Sequence, residues 1–350
     1  MTGMTTVGGL MLAGGAAPLP ERVDLLVRND TIYPGSDAPF VGDVAITGDH
    51  IRGESNYTVG LFAAIDEAIR TGREGRLPVH IAHNKALGVN VQGQSPAIVA
   101  KVEAARRAGQ VVTADQYPWL ASGSSLVASL VPLWAQDGGR DAPTPRFGDP
   151  PTLARVRVDM AENMRKRGGA DKLLLTTRGK TLAAVAASLH GDPVAVAVAL
   201  IREGDPAVIS FNRREEDIAR LVTQPWVMTG SDASPGHPRV DGTFARRYAV
   251  HVRQQRLLTL RPFIERSTAL TADAFGLTGR GGLRPGNHAD VMVFDPAGYA
   301  ASAAYQQPNV LAASVRTVVV NGVLAVDGGA LTGKAAGRAI AHVPPPGTCS

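Results

Sequence analysis

The spacing of hydrophobic and polar positions changes twice along this chain, and the changes divide it into three parts. Residues 23–47 contain two short alternating runs, VDLLVR and DVAIT, which predict β-strands. From residue 50 to about 280, short apolar runs such as LPVHIAH, KLLLTT and AVISF alternate with stretches of helical period. Beyond residue 281 short strands return, and Asn321-Gly322 between two of them predicts a hairpin.

Repeated strand–helix units with apolar strands are typical of a parallel sheet or barrel. Reactive groups in such folds lie at the carboxyl ends of the strands. The fold class predicted from the pattern is therefore α/β, with a β-layer contributed by both chain ends beside an α/β middle.

Composition narrows the possible partners of the chain. The net charge is +5, but the cationic residues are scattered apart from clusters at 165–167 and 246–261, which favours solvated faces over a nucleic-acid surface. The single cysteine, Cys349, excludes a disulfide within the chain and a cysteine metal cluster. No apolar run reaches the roughly 18 residues of a membrane span. We expect a cytoplasmic protein, with export as the alternative, and neither nucleic acid nor membrane as partner.

Two histidines stand at predicted strand ends. In the stretch VHIAHNK, alternation puts His83 at the end of the strand, on the face of Val79 and Ile81. His50 begins a similar stretch, HIRGE, whose charged residues are unusual for a plain core strand. Two neutral imidazoles on neighbouring strand ends are half of a typical zinc site. A single histidine is more often structural, so this interpretation requires the two strands to be adjacent.

Three further side chains are candidates for proton transfer and anion binding. Asp232 ends the predicted strand WVMTGSD, where a carboxylate can accept a proton from a metal-bound water or act as a ligand. An Asx turn or a helix cap is the structural alternative. Lys85 projects to the side of His83 and can hold an anion. Arg239 can bind a carboxylate through two parallel hydrogen bonds, unless it is simply an exposed loop residue.

These stretches occur in an order that closely resembles the N-acyl-D-amino-acid deacylase (D-aminoacylase) family of the amidohydrolase superfamily. The motifs that carry the resemblance are HIRGE, HIAHNKALG, TADQYPWLASGSSL, VMTGSDASPGHPRVDGTFAR and LTGRGGLRPGNHADVMVFDP. The resemblance implies a metal-dependent TIM-type barrel over residues 50–280. It also implies a small β-sandwich domain formed by both chain ends, 22–49 and 281–340, after a leader or disordered segment at 1–21.

The resemblance further implies a reaction, which is hydrolysis of an N-acyl-D-amino acid to a carboxylate and a D-amino acid. Zn²⁺ is the implied cofactor, and His50 and His83 resemble two of its ligands. Asp232 resembles the catalytic carboxylate that activates water and then protonates the leaving amine.

A small-molecule N-acyl amino acid is the partner that the resemblance implies. Lys85 and Arg239 resemble residues that hold the carboxylate of this substrate. Tyr117 resembles a residue that lines the substrate pocket.

Two elements of the family pattern have no counterpart in the sequence. The family has an H-x-H pair at the end of the first barrel strand and a cysteine in a Gly-Asn-Cys-Gly-like stretch, whereas this sequence has neither. The β-rich opening runs to residues 48–49, and HIRGE already matches a strand from the middle of the barrel. The first barrel strands are therefore predicted to be missing in one piece, which leaves an incomplete barrel with open edges.

Three interpretations of the function follow. The first is a metal-dependent amidohydrolase of impaired activity, and the second is a catalytically inactive remnant of the family. The third is an amidohydrolase for another carboxylate-bearing or cyclic amide. Zinc binding is predicted to be weak or absent, because two histidines and one carboxylate lack the thiolate of the family site.

Overall fold

The computed structural model describes residues 10–12, 25–32, 40–46, 51–139 and 142–340. Its strands are β1 (Leu10–Leu12), β2 (Leu25–Ile32), β3 (Phe40–Ile46), β4 (Val79–Ile81), β5 (Val112–Gln116), β6 (Ser122–Ser125), β7 (Leu173–Leu175), β8 (Lys180–Thr181), β9 (Ala207–Ser210), β10 (Val227–Thr229), β11 (Val291–Phe294), β12 (Val315–Val320), β13 (Val323–Asp327) and β14 (Ala330–Leu331).

Its α-helices are α1 (Leu61–Gly75), α2 (Ser95–Arg107), α3 (Leu126–Leu130), α4 (Pro143–Arg146), α5 (Pro150–Lys166), α6 (Leu182–Ser188), α7 (Pro193–Gly204), α8 (Glu215–Val222), α9 (Arg239–Arg247), α10 (Leu260–Ser267) and α11 (Ala269–Ala274). Short 3₁₀ helices lie at Leu133–Ala135 and Ala170–Lys172, and a π-helix at Tyr248–Gln254. In this part of the chain no single helix reaches the length and hydropathy of a membrane span, whereas α6 and α7 taken together do, with a bend of 98° between them.

The N-terminal strands form an antiparallel sheet in which β3 lies between β1 and β2. The strands predicted from VDLLVR and DVAIT are thus confirmed, and β1 falls within the predicted leader or disordered segment. His50 lies outside the described residues. The prediction that this sheet joins the C-terminal strands in one β-sandwich domain stays a prediction.

Three parallel strands form the sheet that positions the candidate site. β5 lies in the middle, with β4 and β10 on either side. Its apolar side chains, among them Val79, Ile81 and Ala114, pack against α1, α2 and α8. Each buried Val or Ile of this kind stabilises the fold by about 1.5–3 kcal/mol. The opposite face carries polar residues such as His80 and Asp115, which lie close to each other. The α/β class is confirmed, and the incomplete barrel stays a prediction.

A unit of helices and antiparallel strands is inserted between β5 and β10. Its sheet has the order β6-β9-β7-β8, with each neighbouring pair antiparallel. Leu126, Leu173 and Val208 belong to its separate apolar core, to which α3, α5, α6 and α7 contribute. The prediction that KLLLTT and AVISF continue the parallel strands is wrong. Strand–helix alternation records where strands occur, whereas their direction depends on which strands meet in the folded chain.

The basic cluster at 165–167 is partly buried, so its interpretation as a solvated face needs correction. Arg165 forms an exposed ion pair with Glu162, as expected for a surface residue. Arg167 is only 6% exposed: its Nε donates to the carbonyl of Ser129 at 2.8 Å, and its guanidinium stacks on the ring of Tyr57 at 4.6 Å. Burial lowers the pKa of this guanidinium. The cluster therefore helps to fix the inserted unit against the loop that precedes α1.

The C-terminal part ends in an antiparallel sheet of β11, β12, β13 and β14. The hairpin predicted at Asn321-Gly322 is confirmed, because Val320 pairs with Val323 across it. Asn321 and Gly322 have φ values of +48° and +80°, as a two-residue turn of type I′ requires. Asn and Gly adopt this backbone conformation at little cost.

Candidate active site

The candidate site lies where the three parallel strands end. The segments that follow β4, β5 and β10 carry Lys85, Tyr117 and Asp232 respectively. The carboxyl ends of parallel strands share one edge of the sheet, so side chains from segments distant in sequence meet there. The prediction that chemistry-bearing residues follow these strands is therefore supported by their placement.

His83 is positioned by a turn rather than by the strand. β4 ends at Ile81, and His83 has a φ of +36°, so the alternation of the strand does not extend to it. The prediction that it shares the face of Val79 and Ile81 is wrong for this reason. Its backbone N–H donates to a carboxylate oxygen of Asp115 at 2.5 Å, which fixes the turn against β5.

Glu54 links His83 and Lys85. Its Oε1 lies 2.6 Å from Nδ1 of His83 and also accepts a hydrogen bond from Nζ of Lys85. Lys85 additionally donates to the carbonyl of His83 at 2.9 Å and is 3% exposed. Burial by itself raises the pKa of Glu54, but Lys85 and His83 outweigh it and lower the pKa to about 2. A negative charge is thus held beside the buried ammonium. The charged residues of HIRGE, which are unusual for a core strand, are the sequence signal for Glu54.

The ring of Tyr117 is the meeting point of three cations. Nζ of Lys85 lies 5.6 Å from the ring centroid, and the guanidinium carbons of Arg213 and Arg239 each lie 4.6 Å from it. The negative face of an aromatic ring attracts such groups. The Tyr117 hydroxyl is buried and has no hydrogen-bond partner among the residues that the structure describes. We call Lys85, Tyr117, Arg213 and Arg239 the cation cage.

Asp232 and Arg239 form an ion pair beside this cage. Oδ2 of Asp232 lies 2.9 Å from NH1 of Arg239, and its Oδ1 accepts the N–H of Ala233 at 2.6 Å. Asp232 has a φ of +50°, a conformation that occurs in functional turns and costs energy for most residues. Arg239 is 2% exposed, and its NH2 donates to Oγ of Ser234 at 2.6 Å.

His237 helps to position Arg239 through a hydrogen bond with its backbone. Its Nδ1 accepts the backbone N–H of Arg239 at 3.1 Å, so its Nε2 is the protonated nitrogen that donates to the carbonyl of Ala121 at 3.1 Å. Burial, reinforced by the charge of Arg239, lowers the pKa of His237 to about 3. The imidazole is therefore neutral at physiological pH, and its edge-on contacts with Trp119 and Tyr305 make it part of an aromatic wall.

The described residues do not fit a complete metal site. In the ranges 51–139 and 142–340, no three His, Cys, Asp or Glu side chains are grouped so that they could hold a metal ion. The ammonium of Lys85 also contacts Nδ1 of His83, the imidazole predicted as a ligand. His50, the other predicted ligand, lies outside the described residues.

Most of the site residues predicted from the sequence contact one another in the structure. Four predicted residues form one connected group: Lys85, Tyr117, Asp232 and Arg239. His83 joins this group through Lys85. Glu54, Arg213 and His237 were missed, because each is placed in the site by a contact with a residue far away in the sequence, which for His237 is Ala121.

Comparison with known proteins assigns the family. The pattern of the amidohydrolase family matches residues 134–326, which is more than half of the chain. The chain belongs to the amidohydrolase family. Its sequence is 33% identical over 310 residues to D-aminoacylase from Alcaligenes xylosoxydans xylosoxydans, covering 87% of this chain and 56% of that protein. The predicted resemblance to the N-acyl-D-amino-acid deacylases is thereby confirmed.

Solved structures agree with the sequence comparison. A structure of D-aminoacylase, from work on its binuclear metal centre, matches with a TM-score of 0.66 and 31% identity over 83% of this chain and 55% of that one. N-acyl-D-glutamate deacylase from Bordetella bronchiseptica, complexed with zinc and a phosphonate inhibitor, matches with a TM-score of 0.64 and 29% identity, over 81% and 54% respectively. This amidohydrolase chain spans about half the length of the relatives that it matches.

Proposed function

We propose that this amidohydrolase hydrolyses N-acyl-D-amino acids to a carboxylate and a free D-amino acid. The observation that carries the proposal is the cation cage at the strand ends, in a chain similar to D-aminoacylase. In this proposal Lys85 and Arg239 hold the carboxylate of the substrate, because ammonium and guanidinium groups form strong charge-assisted hydrogen bonds with carboxylates. Tyr117 lines the pocket between them.

Asp232 carries the proton transfer in this proposal. Its carboxylate accepts a proton from the water that attacks the amide carbon, and it returns the proton to the nitrogen as the C–N bond breaks. The contacts of Asp232 with Arg239 and with the N–H of Ala233 support the role, because they hold the carboxylate beside the cation cage.

We propose that zinc binds weakly, with His50 and His83 as its two nitrogen ligands. The metal centres of the related D-aminoacylase and N-acyl-D-glutamate deacylase motivate the ion. The low affinity is part of the proposal, because two histidines and one carboxylate lack the thiolate of the family site and because Lys85 contacts His83.

A second candidate function is substrate binding without hydrolysis. The same observation favours it: the cation cage is present among the described residues, whereas a complete metal-ligand group is not. The two candidates differ in whether an amine is released from a bound substrate.

The experiment measures amine release from N-acetyl-D-methionine by the purified full chain with added Zn²⁺, and N-acetyl-L-methionine serves as the stereochemical control. Release from the D-enantiomer alone, lost in Asp232→Asn and kept in the control Asp273→Asn at an exposed helical position, supports hydrolysis. Binding of N-acetyl-D-methionine without release supports the second candidate. Unchanged turnover in Asp232→Asn contradicts the proposed role of Asp232.

A further inference from the structure

Arg213 is the member of the cation cage that no sequence pattern predicts. It follows β9 in the stretch FNRREED and is 8% exposed. Its NH1 donates to the carbonyls of Tyr117 at 3.1 Å and Trp119 at 2.8 Å, which holds the guanidinium against the Tyr117 ring. Its neighbour Arg214 is exposed. Two adjacent arginines therefore have entirely different surroundings.

The three cations of the cage differ in their acidic partners. Lys85 is paired with Glu54, and Arg239 is paired with Asp232. Among the described residues no carboxylate forms an ion pair with Arg213. The cage therefore has three positive charges, and its ion-pair partners Glu54 and Asp232 have two negative ones. The excess positive charge lies on Arg213.

A buried charge without a counterion is unfavourable, because burial removes the water that would otherwise solvate it. Burial lowers the pKa of Arg213, and the charges of Tyr117 and Glu54 offset this effect only in part. Two backbone carbonyls compensate it only in part, since each carries a partial charge. A ligand with one carboxylate would bring the cage to neutrality, and an uncharged ligand would leave the excess charge in place.

We propose that Arg213 is the specificity-determining residue that makes this site select a carboxylate over a neutral group. The inference rests on the proposed function for the identity of the ligand. Lys85 and Arg239 still contact the carboxylate, but each shares its charge with Glu54 or Asp232. Arg213 supplies the net attraction, through the guanidinium N–H groups that the two carbonyls do not use.

The alternative is a purely structural role, in which Arg213 only stabilises the backbone of Tyr117 and Trp119 through its two hydrogen bonds. Arg213→Met removes both the charge and the hydrogen bonds to the two carbonyls. Arg213→Lys keeps the charge and loses the paired hydrogen bonds. Arg214→Met is the matched control, because it removes a neighbouring arginine charge that lies outside the cage.

The test is isothermal titration of the full chain with N-methylsulfonyl-D-methionine, whose sulfonamide is not an amide substrate, and with its carboxamide. We expect the wild-type chain and Arg214→Met to bind the acid at least about tenfold more tightly than the carboxamide, as is typical of charge-assisted hydrogen bonds. Arg213→Met is expected to lose this preference mainly through weaker binding of the acid, while Arg213→Lys keeps most of it.

An unchanged acid-to-carboxamide ratio in a folded Arg213→Met chain overturns the inference. So does a wild-type chain that binds both ligands equally, and so does an Arg213→Lys chain that loses the preference as fully as Arg213→Met. The proposed function is tested separately by hydrolysis of N-acetyl-D-methionine. If the chain prefers the acid through Arg213 but releases no amine, the inference holds and the proposed hydrolysis is contradicted. If the chain releases amine but Arg213→Met leaves the acid-to-carboxamide ratio unchanged, hydrolysis is supported and the inference is contradicted.

Discussion

Replacement of Glu54 by Gln is expected to destabilise the protein at neutral pH. Glu54 is the acidic partner of the buried Lys85, and the substitution removes its charge while its shape is kept. The pKa of Glu54 falls from 4.5 to about 2 in the folded chain. At about 1.36 kcal/mol per pKa unit, this shift corresponds to roughly 3 kcal/mol of stability. The value agrees with the cost of about 3–5 kcal/mol for breaking a buried ion pair.

The same shift in the pKa of Glu54 determines how its stabilisation of the folded chain depends on pH. The folded pKa is depressed, so the stabilisation is fully present above the unfolded pKa of about 4.5 and is lost as the pH falls towards 2. The difference in unfolding free energy between wild type and Glu54→Gln should therefore be about 3 kcal/mol at pH 7 and about 1–1.5 kcal/mol at pH 3. Urea unfolding at pH 7, 5, 4 and 3 measures it.

Two further variants test whether loss of the Glu54–Lys85 ion pair causes the destabilisation of Glu54→Gln. Glu203→Gln removes an exposed carboxylate paired with Arg178 and should cost less than about 1 kcal/mol. The double variant Glu54→Gln with Lys85→Met should cost less than the sum of the two single variants, because it leaves no buried charge unpaired. A Glu54→Gln chain within about 0.5 kcal/mol of wild type at pH 7, or a loss that does not shrink as the pH falls, would refute the reasoning.

Two other predictions concern the walls of the site. Gly230→Ala should destabilise the chain by more than about 2 kcal/mol, because an added Cβ would lie 1.6 Å from Oδ2 of Asp115. Urea unfolding measures the loss of stability, and the control is Gly282→Ala, where an added Cβ meets open space. His237 has a folded pKa of about 3, below its ordinary value of 6.5, so protonation favours unfolding and stability falls as the pH drops below about 6.5. His237→Gln should flatten this fall between pH 6.5 and 4, and an unchanged pH profile of the melting temperature would contradict the cause given for the low pKa.

Local sequence signals were sufficient wherever a residue's environment depends on its close neighbours. His83 and Lys85 were located because an apolar run ends just before them, and the hairpin because Asn321-Gly322 supplies two positive φ values. Asp232 was found in the same way, although β10 ends at Thr229, three residues before it. The family resemblance added Tyr117, whose own segment carries no strong local signal.

The remaining members of the site could not be found from local patterns. Glu54 is recognisable only once it contacts Lys85, 31 residues later, and Arg213 only once it meets the Tyr117 ring, 96 residues earlier. In the sequence, Arg213 and Arg214 look alike, and only packing distinguishes them. A pairwise contact between distant residues depends on how the intervening chain closes, and no periodicity records it.

The sequence by itself determined the α/β class, the positions of the strands around the site, the hairpin and the family. These properties follow from the local periodicity of apolar residues, from turn chemistry and from ordered motifs. The tertiary structure alone decided that β7 and β9 run antiparallel in an inserted unit, that Arg167 is buried, and that Arg239 pairs with Asp232. It also decided that three cations share one tyrosine ring. The physical reason is that strand direction, burial and charge balance are properties of surfaces brought together by folding, to which each segment contributes only one side.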